Sequence, residues 1–293
     1  MKVIKKYSIN IVNTHSGKDT WVGGIAAKLT GVKFIRTRHL SNKINTSRAN
    51  FINELADFIF TTGEVVKADM IRNNRIDFEK IKSIPTGVDS DIFDPDLFDK
   101  NECRLKYKID ISEVVIGIVA VLRDSKRHDN FLRIAKQLKY DFPEIKFRFL
   151  IVGEGPMRKF IEGLIGELSI KEDVTMLGHI EDIPELMSCL DVFLFTADRH
   201  EGVPQVLMQA LLMNIKTVSS NDGSTADLYN DNNFLISEPS FDALYKNTKI
   251  LIENLDDDLF LRKSREFLVN SFSQKIATKK ILNTYKKLVQ ANA

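Results

Sequence analysis

Glu201 and Gln209 stand eight residues apart in Thr196-Ala-Asp-Arg-His-Glu-Gly-Val-Pro-Gln-Val-Leu-Met-Gln209. The segment follows an apolar run, Asp191-Val-Phe-Leu-Phe195, and opens a helical pattern that continues to Met213. A strand, a short loop with Gly202 and Pro204, and a helix start make a phosphate-site layout. The N–H groups of the first helical turn lack intrahelical partners and point at whatever sits there. The N–H groups near Gln205 and Val206 are the candidates to hold phosphate oxygens, with Gly202, Val203 and Pro204 in the same binding loop. If the helix starts early, Glu201 and Gln209 are about two turns apart. One would then touch the near end of a nucleotide ligand and the other its middle. The competing structural reading is an ordinary helix N-terminus with a proline in its first turn.

Two histidines end strand-like runs. His15 closes Ile11-Val-Asn-Thr-His15 and His39 closes Phe34-Ile-Arg-Thr-Arg-His39. Ligands of open α/β sheets bind at strand C-terminal ends, so both histidines, with Gly17 and Lys18, are placed on such a rim. Gly153, Glu154, Gly155 and Pro156 make a tight turn before a helix. That turn reads mainly as architecture, with nucleotide packing on Gly153 as its functional use. No zinc-binding His-Glu-x-x-His, Walker loop or serine nucleophile elbow occurs. The Asp-x-Asp piece Asp89-Ser-Asp91 reads as solvated linker, and no metal is expected.

The elements that must carry these residues alternate along the chain. Apolar runs predict strands over 9–14, 33–37, 57–61, 81–84, 114–121, 146–152, 174–177, 191–195, 215–219 and 234–236. Amphipathic patterns such as 127–141 and 156–168 predict helices between them. Strand-helix alternation argues for an α/β protein with parallel sheets covered on both faces. The pattern breaks once, between about 86 and 112, where Gly87, Pro95 and five aspartates gather. That break reads as a domain junction. The expected division is 1–95, 96–270, and a final helix over 271–293.

Composition narrows the class. The 293 residues, 43% of them apolar, suffice for two cores. With 42 basic against 40 acidic residues, no global field favours nucleic acid. Lys275, Lys279, Lys280, Lys286 and Lys287 make the last helix basic. Two readings stand for it: a solvated face, or peripheral contact with an anionic membrane surface. Cys103 and Cys189 suggest neither a disulfide framework nor a zinc site, and a reducing compartment is the simple reading. The apolar runs are too short to span a bilayer, and the basic start lacks an apolar signal region.

The segment around Glu201 resembles the donor-site signature of glycosyltransferase family 4, retaining enzymes of GT-B fold, in which Glu-Gly-x-Pro precedes a helix that carries a second Glu. Gln209 occupies the second Glu position. Ile84-Pro-Thr-Gly-Val-Asp-Ser-Asp-Ile-Phe93 resembles the inter-domain segment of that family. Ile118-Val-Ala-Val-Leu-Arg-Asp-Ser-Lys-Arg-His128 resembles its first donor-domain strand and phosphate loop. Ile151-Val-Gly-Glu-Gly-Pro156 resembles its Gly-x-Gly-Pro turn. Leu177-Gly-His179 and Phe272-Ser273 fit two further landmarks. The match covers nearly the whole chain in order. The early strands and Gly-rich loop of the family's first domain have no counterpart, roughly 70–100 residues by typical domain size.

The resemblance implies two Rossmann-like domains, the first truncated, with a nucleotide-sugar substrate and no cofactor. Lys126 would set a cation on the diphosphate. Val121 stands where the family has Arg, and Arg123 would substitute. Glu201 would accept hydrogen bonds from sugar hydroxyls and stabilise charge at the anomeric carbon. Gln209 would grip ribose through a neutral carbonyl, a weaker bond than a carboxylate gives. His39 would face the donor sugar, and Asp227 would keep the acid of a family Gly-Gly-x-x-Glu. The implied reaction moves a sugar, from a UDP-sugar, to a glycan or lipid-linked acceptor with retention, in cell-surface polysaccharide or glycoconjugate synthesis. The expected location is cytoplasmic, on or near the inner membrane face. Two alternatives stay open. One is a non-catalytic remnant or donor-binding subunit that needs a partner chain to supply the N-terminal strands. The other is a GT-B epimerase acting on a nucleotide sugar.

Overall fold

The computed structural model describes residues 1–39, 44, 48–199, 201–230, 233–257 and 261–290, with side chains at 48–50 and 261–263 left aside. By its contacts the chain forms two units. One comprises Met1–Gly87, His200–Val203 and Gln274–Ala293; the other comprises Val88–Arg199 and Pro204–Ser273.

The first unit runs α1 (Lys2–Lys6), β1 (Ile11–Thr14), α2 (Gly17–Thr30), β2 (Lys33–Arg38), β3 (Phe58–Thr61), α3 (Glu64–Asn74) and β4 (Ile81–Ser83). Its four strands pair in parallel in the order β1-β2-β3-β4. Alternation along the strands sends Phe34 and Ile59 to one face and Ile35 and Phe60 to the other. The first face packs on Ala27 of α2 and Met70 of α3. The second packs on the chain's last helix, through Ala277, Ile281, Tyr285 and Leu288. Local chemistry sets the α2 bounds. Ser16 and Asp19 form a reciprocal capping box, and Gly31 ends the helix at φ 75°.

The second unit runs α4 (Lys100–Lys106), β5 (Val114–Val119), α5 (His128–Asp141), β6 (Phe147–Val152), α6 (Arg158–Glu167), β7 (Val174–Gly178), α7 (Ile183–Ser188), β8 (Val192–Phe195), α8 (Gln205–Leu212), β9 (Lys216–Ser220), β10 (Leu235–Ser237), α9 (Phe241–Glu253) and α10 (Leu261–Phe272). The chain ends in α11 (Gln274–Gln290), which belongs to the first unit. The six strands are all parallel, in the order β10-β9-β8-β5-β6-β7. The chain progresses outward from β5 in one direction and from β8 in the other, so the β5–β8 pair is the topological switch point. All four residues of β8 and all five of β9 are buried, as helices on both faces require. The core joins Ile116, Ile118, Phe149 and Val192 of the sheet to Phe131 and Leu138 of α5, Ile161 of α6, and Leu244 of α9.

Each of the ten predicted strands is present, shifted by two residues or fewer at either end. The helices predicted over 127–141 and 156–168 are α5 and α6.

Candidate functional site

The loops that leave β5 and β8 are fastened together at the switch point. Thr196, fully buried, donates its hydroxyl to the carbonyls of Lys126 (2.7 Å) and Arg127 (3.1 Å). The Asp198 N–H donates to the Ser125 carbonyl at 3.1 Å. Arg127 reaches across to Asp198 (2.8 Å) and also holds Asp129 through two parallel bonds of 2.9 and 2.8 Å. Its bonds to Asp129 and Asp198 push the guanidinium pKa further up, so it is charged at any working pH. Burial works to raise the Asp129 carboxyl, but the bonds from Arg127 outweigh it and hold that carboxyl below its usual range. Arg199 adds a second bridge to Asp124. Arg127 takes φ 51°, a left-handed conformation that turns the chain from the phosphate-loop candidate into α5.

Lys126 is half-buried on this platform. Its ammonium lies 5.5 Å from the centre of the buried Phe195 ring, within cation–π range. Arg123 stands one turn before Lys126, its carbonyl accepting from the Lys126 N–H at 3.0 Å. It is exposed and lines a hollow of about 220 Å³ with Asp124, His128, Met157, Phe160 and Arg199, a hollow that Lys126 does not line. Val121 is 48% exposed.

Gly153 and Gly155 let the turn after β6 lie against the loop after β5. A Cβ on Gly153 would sit 2.0 Å from the Ala120 carbonyl oxygen, and one on Gly155 would sit 2.5 Å from that of Leu122. Gly153 also takes φ 132°, a region open essentially to glycine alone. The backbone bonds this permits are Leu122 N–H to Glu154 (3.0 Å) and Met157 N–H to Leu122 (3.0 Å). Gly153 therefore acts as architecture that shapes the phosphate-loop candidate.

α8 starts at Gln205, one turn later than an eight-residue helical spacing needs. Pro204 is its N-cap and no side chain caps it. Glu201 thus stands in the loop, and only Gln209 is helical, one turn beyond Gln205. Pro204 offers no side-chain acceptor to the first-turn N–H groups of Gln205 and Val206, which makes this helix start a candidate anion-binding end. Gln209 is half-buried.

By contacts, Glu201, Gly202 and Val203 belong to the first unit. The Val203 N–H donates to the Thr62 carbonyl at 3.2 Å. Gly202 lies so close that an added Cβ would meet the Thr62 hydroxyl oxygen at 2.9 Å and the His39 carbonyl at 3.7 Å. The Thr62 hydroxyl itself donates to that His39 carbonyl, at 3.1 Å. The structure therefore brings Glu201, Gly202 and Val203 to His39 through Thr62. His200, also considered in the sequence, lies outside the described residues, as do Leu40 and Ser41.

His15 and His39 are joined directly. Strands β1 and β2 pair with Thr14 opposite Arg36, so the residues just past them meet. His15 Nδ1 and His39 Nε2 are 2.9 Å apart, with rings stacked at 5.2 Å between centroids. One nitrogen must donate and the other accept, so the pair holds a single proton between two rings. Burial holds His39 below the ordinary imidazole range, and the charges of His15 and Arg36 push the same way. Arg36 is 4% exposed and donates to the Thr14 carbonyl at 3.3 Å, while its Nε has no partner. The His15 N–H and the Ser16 N–H both donate to the Asp19 carboxylate.

The sequence reading did not single out Thr62, Thr196 or Arg36, nor the pairings of Arg127 with Asp198. For Arg36 a signal existed: a cation within the apolar run Phe34-Ile-Arg is a buried charge, which is rare unless paired or used. Thr62 and Thr196 had none beyond lying just past a strand end. Asp227, placed by resemblance, is half-buried in the turn Thr225–Leu228. Among the described residues no cluster of histidine, cysteine and carboxylate could hold a metal ion.

The features just described, a parallel switch point with a helix start, a phosphate-loop candidate and a half-buried lysine beside it, are those of an open α/β protein whose loops meet at the strand C-terminal ends. Residues 99–267, more than half the chain, match the family described as Glycosyl transferases group 1, and residues 1–92 match Glycosyltransferase Family 4. The chain belongs to this glycosyltransferase family. It is 27% identical to EpsF of Bacillus subtilis over 72% of its own length and 57% of that protein. It is 27% identical to the Escherichia coli UDP-Gal:alpha-D-GlcNAc-diphosphoundecaprenol alpha-1,3-galactosyltransferase over 97% of its length and 77% of that protein. A glycosyltransferase from Rickettsia africae superposes on 98% of the chain with a TM-score of 0.90 at 24% identity, and 79% of that structure is covered. The fold is GT-B. The chain thus spans between about half and four-fifths of these proteins' lengths.

Proposed function

We propose that this protein binds a UDP-sugar on its second unit and transfers the sugar, with retention, to a glycan or lipid-linked acceptor. The observation that supports this most directly is the switch point. There a helix start without a side-chain cap follows the loop after β8, and that loop is fastened through Thr196 and Asp198 to the loop after β5 that carries Lys126. The Escherichia coli relative, by name a UDP-galactose enzyme with a diphosphoundecaprenol acceptor, supports both the nucleotide and the lipid-linked class. Lys126 would neutralise charge that grows on the leaving diphosphate, and the N–H groups of Gln205 and Val206 would hold its oxygens. Gln209 would hold ribose, while Glu201 and His39 would serve the sugar. In the step, the acceptor oxygen bonds to the anomeric carbon as the carbon–oxygen bond to UDP breaks. The acceptor proton passes to the departing phosphate oxygen. Cell-surface polysaccharide synthesis is the setting this chemistry fits.

A second reading has its own support. The edge position of β1 among the described strands and the exposed apolar side chains Val22, Ile25 and Leu29 of α2 suit a donor-binding subunit completed by another polypeptide.

Titration calorimetry with UDP tests the donor site, using the parent chain beside Lys126→Ala. A charge-assisted bond contributes about 1.5–3 kcal/mol, so the substitution should weaken binding by about 10- to 100-fold. Equal binding by both proteins would remove Lys126 from the site. Product analysis with a UDP-sugar then separates transfer with retention from inversion, from epimerisation, and from binding alone.

A further inference from the structure

The outward face of α11 carries a stripe that no donor or acceptor chemistry uses. At 100° per residue, Lys275, Lys279, Leu282, Lys286 and Val289 fall on one side of the helix, along about 21 Å. Their opposites, Ala277, Ile281, Tyr285 and Leu288, are the residues that cover the sheet of the first unit. The stripe is in solvent: Leu282 is 49% exposed, Val289 is 38% exposed, and all three lysines are exposed. α11 contains five lysines and no carboxylate in its 17 residues. Lys279, Lys286 and Lys287 pair with no acid among the described residues. A solvated helix face ordinarily mixes signs, and its apolar positions lie underneath. Here the apolar residues alternate with lysines on the outside.

We propose that this stripe is a docking surface for an anionic phospholipid membrane. Lysine stems and the side chains of Leu282 and Val289 can enter the headgroup boundary while the ammonium groups stay at phosphate level. The face offers no arginine and no aromatic ring, the groups that hold phosphates bidentately or stack on bases, so a nucleic acid fits it poorly. No described helix is long and apolar enough to cross a membrane, so the contact is a surface one. Each lysine near an anionic surface is worth about fivefold in affinity, and Lys279 and Lys286 together give a preference of about 25-fold over a neutral surface. The proposal does not depend on the donor-site reading.

The test is co-sedimentation with phosphatidylcholine vesicles, with and without phosphatidylglycerol. The parent should bind only the anionic vesicles, and salt should weaken binding. Lys279→Glu/Lys286→Glu should lower binding at least about 25-fold. Lys159→Glu/Lys171→Glu, an equal charge change at exposed positions of the second unit, should leave it within about twofold, well short of one lysine's share. Leu282→Ser should lower binding at unchanged charge. Circular dichroism of each variant confirms folding, and UDP titration of the same proteins reports separately on the donor site. No binding by the parent overturns the proposal. So does an equal loss in both charge variants, which would mean net charge alone, or a Leu282→Ser protein that binds like the parent, which would mean a generic polyanion surface.

Discussion

Acidification should weaken the second unit through one side chain, His128. This residue opens α5 and is 3% exposed. Neither of its ring nitrogens has a hydrogen-bond partner. Burial pushes its pKa from 6.5 down to about 4, against the pull of Asp129 and with the help of Lys126. The sign follows from proton counting. Below about pH 6.5 the unfolded chain takes up a proton that the folded chain refuses until about pH 4. Stability therefore falls as pH falls across that window and levels off beneath it. Each pH unit within the window costs about 1.4 kcal/mol, so moving from neutral pH to pH 5 removes about 2 kcal/mol. Carboxylates titrate over part of the same range, and a His128→Met variant subtracts them. Urea unfolding followed by circular dichroism, at pH 7.5 and at pH 5, gives the four midpoints needed. The parent should lose about 2 kcal/mol more than His128→Met. Equal losses in the two proteins would show that His128 either protonates freely in the fold or finds a partner there, and the burial argument would fail.

The sheet framework was legible because parallel strands buried on both faces must be apolar throughout, and such runs stand out between amphipathic helices. The runs 191–195 and 215–219 were read this way, even though the second strand buries Lys216, Thr217, Ser219 and Ser220. The helix starts only at Gln205 because Pro204, its N-cap, disfavours helical geometry in the residue before it. The meeting of His15 and His39 was half legible. Both were placed at ends of successive strands, but their 2.9 Å contact depends on the register that sets Thr14 against Arg36. The pairing of Arg127 with Asp198 spans 71 residues and has no local pattern to announce it. The same holds for Thr62, whose hydroxyl and carbonyl hold two loops that are far apart in sequence. Strand patterns report which residues are buried. They do not report which loop a polar group will bind.

Two glycine substitutions separate architecture from function. Gly153→Ala must fit a Cβ 2.0 Å from the Ala120 carbonyl oxygen at φ 132°. Strain and overpacking together should cost on the order of 4 kcal/mol. Gly163→Ala, in α6 with nothing within 4 Å of its added Cβ, should instead stabilise by about 0.5–1 kcal/mol. Thermal unfolding of the pair would refute the reasoning if both shifts had the same sign. Gly202→Ala meets a side-chain oxygen rather than backbone. Its Cβ would lie 2.9 Å from the Thr62 hydroxyl, which must then leave the His39 carbonyl or push the Glu201 loop outward. An outward push would break the Val203 N–H bond to the Thr62 carbonyl, worth about 1 kcal/mol, and should speed amide exchange at Val203 about fivefold and slow UDP-sugar turnover. Thr62→Ala removes the obstructing oxygen, so the double variant should exchange at Val203 more slowly than Gly202→Ala alone. An additive double mutant would mean that Gly202 and Thr62 do not interact, and that the path from His39 to Glu201 runs through other atoms.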